Sequence, residues 1–235
     1  MAERLKEFQL SETAEQQPLS VTQIWVASVL GGGVFAGAIL FFDRLEPLFL
    51  YMSFLCFFHD SEYFVTAIFN PTRLEMSSFL LNNGFQYWIA HLSGLVECYF
   101  HRTHPFFVDK TVLYAYQFVG LAAVVIGQYV RTKAMAYAAS SFSHKIADKK
   151  AEDHVLVTDG VYAYVRHPSY AAFFVWAVGT QIWLGNVITP IAFCIVLQRF
   201  FTARIRHEES LLIKFFGADY TTYKSKVPSG ILFLP

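Results

Sequence analysis

Apolar residues run along this chain in stretches near the ~20 residues that carry a helix across a bilayer, and polar breaks separate them. Residues 21–42 hold no charge, and Gly31-Gly32-Gly33 within them allows a neighbouring helix to come close. Residues 47–69 are long enough but carry His59, Asp60 and Glu62 in their middle; residues 85–100 are shorter and hold His91 and Glu97. Residues 111–130 are free of charge. Residues 170–184 and 187–201 form a pair split by Gly185-Asn186, the pattern of a tight helical hairpin. The pattern predicts an all-α, polytopic integral membrane protein of about six transmembrane helices.

Charge placement gives those spans a direction. Six spans put both termini on one side with the connections 70–84 and 131–169. That side collects 15 of the 18 Lys and Arg residues, Arg73, Arg131, Lys145, Arg166 and Arg204 among them. Arg44, Arg102 and Lys110 fall on the other. Lys and Arg mark the cytosolic side, so the termini are expected in the cytosol. Residues 1–20 mix acids with Arg4 and Lys6, lack the apolar core of a signal peptide, and read as a flexible cytosolic arm.

Composition supports lipid as the solvent: 55% of the 235 residues are hydrophobic, 18% aromatic, and 25 are Phe. The formal net charge of zero argues against a nucleic-acid partner. Cys56, Cys98 and Cys194 all lie in apolar runs and read as small hydrophobes, not as a disulfide or metal set. Asp60, Glu62 and Glu97 are costly inside spans and are expected to face the bundle interior, where packing hydrogen bonds are one role and chemistry another.

The long connection 131–169 contains AYAASSFSHKIADKKAEDH and then HVLVTDGVYAYV, whose β-branched run, turn and aromatics predict an ordered, functional loop. It ends in YVRHPSY at 164–170. Pro168 fits the first turn of the next helix, whose free N–H groups would face the loop and attract an anion. A plain helix cap with an interfacial Arg-His-Tyr anchor accounts for the same residues. Downstream, RFFTARIRHEESLL places Arg204 and Glu208 four apart on one helix face, either as a surface ion pair or as separate ligand contacts. His144, His154, His167 and His207 lack metal-ligand spacing, so no metal is expected. The organisation predicted is an arm (1–20), four spans (21–130) and a catalytic region (131–235). That region divides into a cofactor loop (131–169), a hairpin (170–201) and a cytosolic C-terminal segment (202–235).

Taken in order, SFLLNNG at 78–84, SFSH at 141–144, HVLVTDGVYAYVRHPSY at 154–170, GTQ at 179–181, RFF at 199–201 and EE at 208–209 resemble the isoprenylcysteine carboxyl methyltransferases. The similarity runs from about Phe58 to KVPSG-ILF, and the short N-terminus is like the six-span members. The resemblance implies a multi-pass endoplasmic-reticulum enzyme with its active site on the cytosolic side. Such an enzyme methylates the α-carboxylate of a farnesyl- or geranylgeranyl-cysteine at the C-terminus of a CaaX protein, with S-adenosylmethionine as donor. It further implies donor contacts from His154, Val155, Leu156, Val157, Tyr162, His167, Pro168, Ser169, Tyr170 and Glu208. Arg204 is implied to serve the substrate, and Arg204 and Glu208 together the catalysis. Some relatives carry glutamine where this chain has Ala147. The alternatives left open are a membrane sterol reductase using NADPH, which the Glu208-Glu209 pair suits poorly, and a non-enzymatic lipid-binding membrane protein.

Overall fold

The computed structural model describes residues 19–44 and 46–232; the expected N-terminal arm lies, up to residue 18, outside the described residues. Every regular element among them is helical: α1 (Val21–Arg44), α2 (Pro47–Phe69), α3 (Phe85–Thr103), α4 (Lys110–Ala138), α5 (Pro168–Trp183), α6 (Ile188–Phe216) and α7 (Ala218–Lys226), with short 3-10 turns between. The all-α expectation holds. Three of these helices, over Val21–Asp43, Lys110–Ser141 and Ile188–Phe216, are long and apolar enough to cross a membrane by length and composition. Large apolar side chains on their outer faces, such as Phe35, Phe118 and Ile191, are exposed. Lipid is the solvent that makes such a surface favourable.

Glycine decides how closely two helix pairs approach. A Cβ on Gly33 would lie 2.6 Å from Cys56 Sγ, and one on Gly37 would lie 2.6 Å from the Phe49 carbonyl, so α1 rests directly on α2. Of the three consecutive glycines, Gly32 has open space and takes no part. Between α4 and α5 a Cβ on Gly127 would lie 2.7 Å from both Ala172 O and Trp176 N, leaving backbone against backbone. Trp176 then packs with Phe58, Val124 and Phe193 in the main apolar core.

Two helices run further than the hydropathy suggests. α4 continues past 130 to Ala138, so Arg131 is a buried helical residue and not, as the charge count had it, part of a polar loop. Its partner is Glu62, which makes the helix affordable in an apolar setting. α6 continues past 201 to Phe216, because the segment leaving the apolar zone is itself amphipathic and buries Ile205, Glu209 and Leu211.

The intramembrane polar residues are mostly spent on packing. Glu97 accepts from the backbone N–H groups of Val187, Ile188 and Thr189, each at 2.7 Å, and so closes the start of α6. Asn186 Nδ2 donates to Gly94 O at 2.9 Å and Trp183 Nε1 to Pro47 O at 2.8 Å, fixing the hairpin turn. Tyr51 Oη lies 2.7 Å from His91 Nδ1, and Tyr87 Oη lies 3.0 Å from His59 Nε2. Asp60 differs: it is buried, and its Oδ1 has no hydrogen-bond partner among the described residues.

Candidate active site

α5 opens with Pro168 at its first turn, as the sequence predicts, and His167 precedes it as the cap. Two stretches of chain flank this start. On one side, Arg166 N donates to Pro228 O at 2.9 Å and His167 N to Ser229 O at 3.2 Å, so the C-terminal segment is stitched alongside. On the other, the connection 139–167 folds over. Asn70 Nδ2 holds Phe142 O at 2.8 Å, and Val155 N donates to Ser141 Oγ at 3.1 Å. Tyr162 Oη donates to Ala134 O at 3.2 Å.

A pocket lies between them. His154, Val155, Leu156, Val157 and Tyr162 line it from the connection, and His167, Pro168, Ser169 and Tyr170 from the start of α5. Glu208, Leu212 and Phe216 of α6 complete the wall, with Tyr220 and Tyr223 of α7. All ten residues expected to meet a cofactor therefore share one cavity. Tyr164, two residues on from Tyr162, is not part of the lining and is 79% exposed.

Burial sets the chemistry of the lining. It raises the Tyr162 phenol well above its ordinary range, with Glu208 adding to the effect, so the hydroxyl stays a neutral donor. It lifts Tyr223 to about 12. His154 is pushed below its usual 6.5, first by burial and then by Arg73, so at neutral pH it offers an uncharged ring. That ring meets Phe216 edge-on at 5.2 Å.

Beside the pocket stands the second predicted pair. Arg204 Nε donates to Tyr170 Oη at 2.9 Å, and Tyr170 Oη donates to Glu208 Oε2 at 2.6 Å. Arg204 Nη2 donates to His144 O at 2.6 Å. A guanidinium has five N–H donors, so this anchoring leaves others for a ligand carboxylate.

Two charged clusters behind the pocket were not foreseen. Glu209 is buried and accepts from Arg166 Nε at 2.9 Å, Tyr220 Oη at 3.1 Å and Lys224 Nζ at 2.6 Å, with His167 Nε2 at 3.2 Å. His167 thus turns Nε2 to Glu209 while its ring still lines the pocket. Arg166 also donates to Lys224 O at 3.0 Å and to Val227 O, so it is a buried brace and not an interfacial anchor. The other cluster is Glu62 with Arg131 and His144. Acidic residues in one apolar helix and a basic one in another were its signal, since a buried charge needs a partner.

The lining suits a ligand with mixed ends. A helix start favours an anionic group, the Glu208 carboxylate a cationic one, and the His154, Phe216 and Tyr162 rings a planar one. No group of His, Cys, Asp or Glu among the described residues could hold a metal ion.

The chain is similar to known proteins. The model of the isoprenylcysteine carboxyl methyltransferase (ICMT) family matches residues 118–214. A protein-S-isoprenylcysteine O-methyltransferase of Schizosaccharomyces pombe is 45% identical over 196 residues, 79% of this chain and 83% of that protein. Its Saccharomyces cerevisiae counterpart is 43% identical, over 81% of this chain and 82% of its own. A solved structure of the eukaryotic intramembrane Ras methyltransferase ICMT matches with a TM-score of 0.82 at 36% identity, across 89% of this chain and 75% of that one.

Proposed function

The chain belongs to the isoprenylcysteine carboxyl methyltransferase family, and on that footing we propose that it methylates the α-carboxylate of a C-terminal farnesyl- or geranylgeranyl-cysteine, with S-adenosylmethionine as donor. One observation carries the reading. The pocket with one anionic wall (Glu208) and one helix start (Pro168 to Tyr170) is joined through Tyr170 to an arginine outside it. A cationic donor and an anionic acceptor would thus be held on two sides of one phenol.

In this assignment Glu208 holds the donor's ammonium and the start of α5 its carboxylate, while His154 and the backbone of Val155, Leu156 and Val157 with Tyr162 border its purine. Pro168, Ser169 and Tyr170 form the rim, and Arg204 grips the prenylcysteine carboxylate. When bound, S-adenosylmethionine supplies an electrophilic methyl on a sulfonium, whose transfer to a carboxylate oxygen leaves an ester and a thioether. The protein needs no general base, because a C-terminal carboxylate with a pKa near ~3.5 is already ionised at neutral pH. Arg204 orients that anion, and its tether to Tyr170 and His144 O restrains it from pairing too tightly. Leu212 and Phe216 give the donor pocket an apolar wall, and a dry site would strip hydration from the attacking oxygen.

The setting follows from the two ligands. We place the protein in the endoplasmic-reticulum membrane with six spans, the pocket and both termini facing the cytosol. The prenyl chain partitions into lipid at ~0.8 kcal/mol per buried CH₂ and enters sideways between helices. The polar donor enters from water past the 139–167 connection. Transfer of label from S-adenosylmethionine to a small farnesylcysteine by the purified protein tests the proposal. Absence of transfer by folded protein would refute it.

A further inference from the structure

Glu62 sits in α2, outside the pocket lining, with its side chain 1% exposed. Its Oε1 accepts from Arg131 Nε at 2.5 Å, and its Oε2 accepts from Arg131 Nη2 at 2.8 Å and lies 2.8 Å from His144 Nε2. Each partner then leads to a different half of the site. Arg131 Nη1 donates to Ser169 Oγ at 2.9 Å and to Ser169 O at 3.1 Å, in the first turn of α5. His144 presents its carbonyl to Arg204 Nη2 at 2.6 Å.

We propose that Glu62 is a positioning residue, the common point from which the donor rim at Ser169 and the acceptor-holding guanidinium of Arg204 are set at a fixed separation. The inference rests on the function proposed above and adds a residue to it.

Geometry separates this from a pair that only satisfies two buried charges. A bidentate fork between Glu62 and Arg131 would do that alone. Here the carboxylate also takes His144, and the guanidinium also takes both oxygens of Ser169, so both arms end on site residues. The Arg131 guanidinium lies 5.4 Å from the centres of the Phe58 and Phe173 rings, which leaves it little freedom to swing. The carboxylate and the guanidinium are both fixed, so displacement of Glu62 is felt at both ends. In a low-dielectric interior such charged contacts are strong, and their directions are kept. Methyl transfer depends on the relative placement of donor and acceptor, where small errors are costly.

The test uses the full chain in detergent, with two separate readouts. Calorimetric affinity for S-adenosylhomocysteine needs no turnover, and kcat/KM for a small farnesylcysteine at saturating donor reports the acceptor side. Glu62→Gln keeps the shape but loses the charge and one acceptor oxygen. It is expected to weaken S-adenosylhomocysteine about tenfold and also to lower kcat/KM by about tenfold or more. Ser169→Ala should move chiefly the affinity, and His144→Ala chiefly kcat/KM. If folded Glu62→Gln keeps both wild-type constants and loses only thermal stability, its role is structural and the proposal fails. If Glu62→Gln does not fold, the two single-arm variants decide: wild-type constants in both overturn it, and the split supports it. A wild-type protein that transfers no methyl would instead overturn the function on which the proposal rests.

Discussion

Arg204 and Glu208, one turn apart on α6, meet through the hydroxyl of Tyr170, which accepts from the guanidinium at 2.9 Å and donates to the carboxylate at 2.6 Å. The four-residue spacing thus serves a three-membered relay. A bare phenyl ring at 170 would keep the packing against His167 and Phe201 and lose both bonds. Tyr170→Phe should lower kcat/KM for a small farnesylcysteine roughly 10- to 100-fold, the scale of one or two hydrogen bonds to charged groups. Steady-state kinetics beside a thermal melt check it; wild-type kcat/KM would remove the relay from the reaction.

The two ends of that relay should separate kinetically. Arg204→Ala is expected to lose turnover while S-adenosylhomocysteine still binds. Arg204→Lys should recover little, because an ammonium cannot span Tyr170, His144 O and a carboxylate with one planar fork. Glu208→Ala should chiefly raise the donor Kd. Titration calorimetry on both variants distinguishes them, and the reverse pattern would exchange the roles assigned here.

Glu209 is expected to serve stability, where the proposal gives Glu208 to donor binding. Glu209→Ala leaves the buried Arg166 without its carboxylate, which costs about 3–5 kcal/mol. At roughly 2–4 °C per kcal/mol for a chain of this size, the melting temperature should fall by on the order of 10 °C. Limited proteolysis should open the chain near 227–231, which Arg166 and His167 hold. An unchanged melt would show that the cluster contributes nothing.

On the far side of the bundle, Glu97→Gln should destabilise by roughly 2 kcal/mol, since one carboxylate serves three backbone donors there. The kcat/KM of the folded fraction should stay at the wild-type value. A kinetic defect in stable Glu97→Gln would mean that the hairpin turn reaches the active site.

His154 has a folded-state pKa below 6.5, so its neutral form is the one the fold prefers. Its contribution is full above pH 6.5. As pH falls below that value the unfolded chain takes the proton first, and stability drops until the folded pKa is passed. His154→Gln should flatten this acid limb in melts taken between pH 7 and 5. A wild-type curve already flat over that window would contradict the shift.

The helices were legible from the sequence because burial in lipid leaves long apolar runs, and Pro168 announced where α5 begins. The ends of α4 and α6 were not, since both helices continue into polar sequence once a tertiary partner takes over from lipid. Glu62 opposite Arg131 decided the first case, and Glu209 beneath Arg166 the second. The gathering of residues 154–157 with 167–170 and Glu208 around one cavity agrees with the motif resemblance. What the motifs hid was the wiring between them. Tyr170 reads as an aromatic and His144 as a spare imidazole, and only the fold shows which atoms they present.

The Glu62–Arg131 contact also bears on how this protein can be cut. The family model covers residues 118–214, a stretch that invites treatment as a portable module. Arg131 lies inside that stretch and its carboxylate lies outside, as do the Pro228 and Ser229 carbonyls that receive the 166 and 167 amides. An excised fragment would strand a guanidinium in hydrocarbon, a penalty of several kcal/mol. Anyone grafting this chemistry onto another scaffold must bring α2 along.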